Sequence, residues 1–258
     1  MMRSLAALFA LLVALPAAAA AAATPTTETV YLRGHRQLVH LYGVRGAGDP
    51  VIVSSGDGGW MHLAPHVAEV LAARGYFVVG FDARAYLESF TAGQTTLRAE
   101  DVPGDYRALV DYAARGSKRK PLLVGVSEGG GLSVLAGADA ATKSAVTGVI
   151  ALGLPDVNEL GWRWKDAIIY VTHGVPKEPT FNSGSVISRL APLPLAAIHA
   201  TNDEFVPVTE VQRLVQQAQE PKKLWIVPAS NHRFSDNLAE FDRTLAAAID
   251  WVLQNQPR

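Results

Sequence analysis

The residues best suited to chemistry are Gly125-Val126-Ser127-Glu128-Gly129, which directly follow the apolar run Pro121-Leu122-Leu123-Val124. The small-residue stretch Gly130 to Ala136 comes next and reads as a helix. Strand, tight turn and helix are the context that a G-x-S-x-G nucleophile elbow needs. The serine must sit on strained backbone so that its oxygen stands clear of the sheet, and a side chain at either flanking glycine would collide with neighbouring backbone. Ser127 is therefore expected to be a covalent nucleophile for acyl transfer or hydrolysis. A phosphate-binding reading is weaker, because neither G-x-G-x-x-G nor a terminal Gly-Lys-Ser/Thr is present.

A hydroxyl is a weak nucleophile at neutral pH and needs a base, which in turn needs an orienting carboxylate. In this strand–turn–helix setting the chain order is Ser, then Asp or Glu, then His. The apolar run Leu195 to Ala200 leads into Thr201-Asn202-Asp203-Glu204, which places Asp203 just past a strand end, with Glu204 as a rival acid. The last apolar run ends in Pro228-Ala229-Ser230-Asn231-His232, and His232 is the only histidine after the acid. His62, His66 and Glu69 have spacing that invites a zinc reading, but Pro65 interrupts it and no H-E-x-x-H is present, so no metal is expected. No organic cofactor is required either.

Acyl transfer also needs donors for a developing oxyanion. Two backbone N–H groups are expected to supply them: that of Glu128, after the nucleophile, and that of Asp57 in the loop Gly56-Asp57-Gly58-Gly59. The Glu128 side chain has two open roles, a favourable interaction with the positive end of the following helix and selection of a cationic substrate group.

The elements that must hold these residues alternate along the chain. Glu28 to Leu32 and Gln37 to Tyr42 read as an antiparallel hairpin. Buried strands are expected at 50–54, 76–82, 121–124, 146–152, 193–200 and 223–227. Helices are expected at 65–74, 103–114, 130–136, 207 to about 219, and 238–253. Such alternation predicts an α/β fold, a mostly parallel central sheet with helices on both faces and a leading hairpin. Catalytic residues then belong at the carboxyl ends of the strands. Residues 155–191 break the rhythm and are expected to form a cap insertion. Trp162 and Trp164 there either bind substrate or pack the insertion onto the core.

Length and composition agree. The 258 residues fit a single domain, 49% are hydrophobic, and a net charge of −1 gives no electrostatic case for nucleic acid. The absence of cysteine excludes disulfides, a thiol nucleophile and thiolate metal sites. Residues 1–23 have a basic start, an apolar stretch and an alanine run, the layout of a signal peptide. Cleavage would leave a mature domain from residue 24, periplasmic or secreted.

Beyond the general pattern, which matches the α/β-hydrolase fold, the chain resembles the VirJ/AcvB family of bacterial virulence proteins. The resemblance rests on Ser55-Gly56-Asp57-Gly58-Gly59-Trp60, on Gly80-Phe81-Asp82 followed by Tyr86, on Gln94-Thr95-Thr96 and on the elbow. It covers residues 50 to 135 well and implies an exported, periplasmic protein and, for some members, hydrolysis of an aminoacylated membrane lipid. Trp60 then joins the substrate-binding candidates. Where family members usually carry an aromatic residue in the elbow, this chain has Glu128.

The sequence thus points to an exported serine esterase acting on a small-molecule or lipid ester, with transient contact at a membrane surface. A peptidase or thioesterase of the same fold, or a non-catalytic binding protein that kept it, are the alternatives. The sequence does not fix the oligomeric state.

Overall fold

The computed structural model describes residues 25–164 and 178–257. The expected signal peptide and the central part of the 155–191 insertion lie outside the described residues. Eight strands form the main sheet: β1 (Thr26–Leu32), β2 (His35–Tyr42), β3 (Pro50–Ser54), β4 (Phe77–Phe81), β5 (Leu122–Val126), β6 (Val149–Leu152), β9 (Leu195–Ala200) and β10 (Lys222–Val227). Their spatial order is β1-β2-β4-β3-β5-β6-β9-β10. From β4 to β10 all pairs are parallel, while β1–β2 and β2–β4 are antiparallel. This is the sheet of the α/β-hydrolase fold.

The reason for the parallel arrangement is visible in the strands. Every residue of β3, β4 and β5 is buried, as expected where helices cover both faces. Alternate residues then feed two separate cores. Val51 and Val53 pack with Leu63, Val67 and Leu71 of α1 (Leu63–Ala73) and with Phe241, Leu245 and Ile249 of α7 (Leu238–Asn255). Ile52 and Leu123 face the other layer. That layer holds α2 (Ala83–Phe90), α3 (Val102–Ala113), α4 (Glu128–Gly137) and α6 (Val208–Gln217), with the short α5 (Ala140–Ala145) packed beside α3. Gly75 (φ 90°) ends α1, its N–H reaching the Ala72 carbonyl at 2.9 Å and the next N–H reaching Leu71 at 3.2 Å.

Some details differ from expectation. The strand expected from Val146 is regular only over Val149–Leu152, although the Thr147 N–H already bonds the Pro121 carbonyl ahead of β5. Pro207 caps α6 rather than opening it, with extended ψ of 140°. Helix α2 was not anticipated; the Asp82 side chain starts it by accepting the Ala85 N–H at 3.0 Å. The 155–191 region adds the antiparallel pair β7 (Val157–Glu159) and β8 (Thr180–Asn182), followed by two 3₁₀ turns.

Candidate active site

Ser127 follows the last residue of β5 and precedes the first of α4. Its backbone adopts φ 50°, ψ −118°, a conformation L-residues disfavour. The turn is closed by the Ser127 N–H on the Leu152 carbonyl at 2.8 Å and by the Gly130 N–H on the Ser127 carbonyl at 2.8 Å. Both elbow glycines are sterically required. A Cβ on Gly125 would lie 2.1 Å from the Gly129 carbonyl oxygen, and one on Gly129 would lie 2.3 Å from that of Ser55. The backbone thus fixes where the hydroxyl stands.

Beyond β9, Asp203 sits in a tight loop. Its Oδ1 accepts the Phe205 and Val206 N–H groups, each at 2.9 Å. Its Oδ2 lies 2.5 Å from His232 Nδ1, in the loop that follows β10. Because an ionised Oδ2 can only accept, Nδ1 carries the hydrogen of this bond, and in the neutral imidazole that leaves Nε2 as the acceptor. Nε2 is buried and has no hydrogen-bond partner among the described residues. Burial by itself would raise the Asp203 pKa, but the His232 hydrogen bond and charge, with the two loop N–H groups, hold it below the ordinary carboxylate value. Buried His199, at the end of β9, donates Nε2–H to the Val206 carbonyl at 2.9 Å and so braces the same loop from beneath.

Gly153, just past β6, makes room for the imidazole. It has φ 61°, and a Cβ there would lie 2.5 Å from His232 Cε1. Sequence reading missed this residue, although a glycine immediately after a buried strand was the available signal.

Ser127, His232 and the glycine loop line one cleft of about 370 Å³, together with Asp57, Glu128, Glu159 and Trp162. A groove of about 450 Å³ opens at the other end of the sheet, around Pro50 and Leu122, but it holds none of these groups. Gly56 brings the loop over the elbow: a Cβ there would be 3.2 Å from Ser127 Cβ. At the start of α4 the Glu128 N–H has no intrahelical acceptor and is available to the cleft. The nearby N–H groups of Gly58 and of Asp57 itself favour the ionised form of the Asp57 carboxyl.

The cleft is acidic. Glu128 is 6% exposed, and its Oε1 has no hydrogen-bond partner among the described residues. Burial first, then the charges of Asp57 and Glu159, push its pKa well up, offset in part by the Glu159 N–H. Burial also raises Asp57, with nearby His232 opposing. Among the described residues, no group of three His, Cys, Asp or Glu side chains is disposed to hold a metal ion.

The three tryptophans divide. Trp162 is buried and lines the cleft, and the Arg84 guanidinium stacks 3.8 Å from its ring centre. It is therefore both wall and core. Trp164 is 69% exposed and stands outside the lining, edge-on to Trp162. Trp60 does not reach the cleft: its ring lies against Gly80 of β4 and stacks on His40 at 4.8 Å. The expectation that it binds substrate is corrected, because the missing side chain at Gly80 draws the indole onto the sheet. Glu204, the rival acid, does not reach the imidazole; it accepts the His232 backbone N–H at 2.7 Å. His62 lines the cleft, whereas His66 pairs with Asp242 at 2.7 Å.

A family model described as bacterial virulence protein VirJ matches residues 49–166. No curated protein matches the chain. Solved structures share the fold. An α/β hydrolase, GrgF from Penicillium sp. sh18, superposes with a TM-score of 0.67 at 15% identity, covering 90% of this chain and 99% of its own. The Pyrococcus furiosus esterase PF2001 gives 0.65 at 17% identity, covering 90% and 91%. Est1E from Butyrivibrio proteoclasticus gives 0.63 at 16% identity, covering 89% and 98%. The chain has the α/β-hydrolase fold and resembles the VirJ family over residues 49–166, just under half its length.

Proposed function

We propose that the protein is an exported serine hydrolase that cleaves a carboxylic ester through an acyl-enzyme. The observation that carries the reading is the His232 imidazole, tied at Nδ1 to Asp203 and left with an unpartnered Nε2, in the same cleft as a serine on strained elbow backbone. Binding alone requires none of these three groups in this relation.

In the proposed reaction His232 Nε2 takes the Ser127 proton as Oγ attacks the ester carbonyl. Asp203 stabilises the imidazolium without itself becoming protonated. The N–H groups of Glu128 and Asp57 receive the oxyanion. Collapse expels the alcohol, which takes the proton from His232, and water then repeats the sequence to free the acid. No metal or organic cofactor enters these steps.

For the substrate, Glu128 supports an ester bearing an ammonium group, as in an aminoacyl lipid. A buried carboxyl with one oxygen unpartnered, among two further acids, is a favourable receptor for a cation that enters the cleft. Reverse-phase analysis of lysyl-phosphatidylglycerol after incubation with the protein tests this; no released lysine removes the aminoacyl-lipid reading. Labelling with a fluorophosphonate tests the reaction class. The wild type should label and Ser127→Ala should not; an unlabelled wild type would favour the binding-protein alternative.

A further inference from the structure

Two consecutive carboxylates hold one histidine. Asp203 Oδ2 takes the His232 ring at Nδ1, while Glu204 Oε2 accepts the backbone N–H of the same residue at 2.7 Å. The loop after β10 also accepts the Asn202 N–H at the Ala229 carbonyl at 3.0 Å, and the stretch around His232 is otherwise braced from within. Asp236 accepts the Ser230 N–H at 3.0 Å, and Asn231 Oδ1 accepts those of Arg233 and Ser235 at 3.1 Å. The Phe234 N–H bonds the Asn231 carbonyl at 3.1 Å. The N–H groups of Ser230, Arg233, Phe234 and Ser235 thus bond inside the loop, whereas that of His232 crosses to the acid-bearing loop.

We propose that Glu204 is a positioning residue for His232, setting its main chain while Asp203 sets its ring. The inference rests on the Ser–His–Asp reading of the cleft. A ring tethered only at Nδ1 can still pivot about that bond when its Cα shifts. Nε2, on the far side of the imidazole, moves the most. Anchoring the N–H removes that freedom, and it does so with a charged acceptor, the stronger kind. The carboxylate lies on the exposed side of the loop. Its removal therefore opens no cavity, and a lost rate can be separated from a lost fold.

The experiment compares Glu204→Ala and Glu204→Gln with the wild type. Each is measured by steady-state hydrolysis of p-nitrophenyl butyrate, by fluorophosphonate labelling rate, by thermal melting and by the proton NMR signal of His232 Nδ1–H. Glu204→Ala should lower kcat on the order of 10-fold, with KM and Tm nearly unchanged and the Nδ1–H signal broadened. Glu204→Gln keeps a carbonyl acceptor and should recover most of the rate. Wild-type kcat and labelling rate in Glu204→Ala would overturn the proposal, as would equal damage in both variants accompanied by a lower Tm. If the wild type itself neither labels nor hydrolyses, the hydrolase reading falls. The NMR signal then decides the tether alone: an Nδ1–H resonance unchanged in Glu204→Ala overturns it, and a broadened one upholds it.

Discussion

Asp203 Oδ2 and His232 Nδ1 meet at 2.5 Å across 29 positions of chain, each carried on a separate loop at the same edge of the sheet. Strands β9 and β10 pair in parallel register, Ala200 beside Val227, so their following loops emerge side by side. Asp203→Asn keeps the shape of the side chain but favours the wrong imidazole tautomer. It should lower kcat about 10³- to 10⁴-fold and lower the melting temperature at neutral pH by the stabilisation the ionised carboxylate supplies, measured on a chromogenic ester and by calorimetry.

The same pair makes a pH statement. Asp203 has a folded pKa below its ordinary 3.8. Its stabilisation is therefore present above the unfolded value and is lost as pH falls through the folded one. Acid unfolding curves of the wild type should show this loss below about pH 4, and Asp203→Asn should not. A rate that falls at higher pH than this has another cause than Asp203 protonation.

Glu128 behaves in the opposite sense. Its folded pKa is raised, so the folded state holds its proton longer than the unfolded chain does, and stability falls as pH rises above the ordinary 4.5. Glu128→Gln should melt higher than the wild type at pH 7 to 8, each 1 kcal/mol recovered being about 2–4 °C for a chain of this size. The gain should vanish near pH 4. Activity toward an aminoacyl ester should fall in the same variant, while a neutral ester is spared.

Gly153→Ala tests the seat of the imidazole. With φ 61° and a Cβ that would meet Cε1 at 2.5 Å, the variant must displace His232 or its own backbone. Fluorophosphonate labelling should slow by on the order of 100-fold, with Ser127 and the elbow intact.

Much of this was legible in the sequence because buried parallel strands are continuous apolar runs. Locating their ends at Val124, Ala200 and Val227 was enough to align Ser127, Asp203 and His232, although the first strand runs on to Val126. What escaped was written in single contacts. Strands β7 and β8 are three residues each, too short to show a period. Helix α2 hid because Gly80-Phe81-Asp82 reads as a strand end and its Asp82 cap serves both neighbours, also accepting the Trp60 N–H at 3.1 Å. Trp60 was assigned to the substrate by its neighbours in sequence, yet its place is set by Gly80, twenty residues on. Glu204 and Asp203 are equivalent as types; only the three-dimensional path of the His232 loop separates ring from main chain.

The left-handed backbone of Ser127 carries a trade-off between durability and reactivity. Glycine adopts φ 50°, ψ −118° with little strain, whereas serine holds it at a cost of about 1–3 kcal/mol. Ser127→Gly should therefore outlast the wild type in thermal and denaturant unfolding while hydrolysing nothing. Selection for robustness alone would favour that glycine, so the serine costs the fold resilience in exchange for the hydroxyl that the proposed reaction requires.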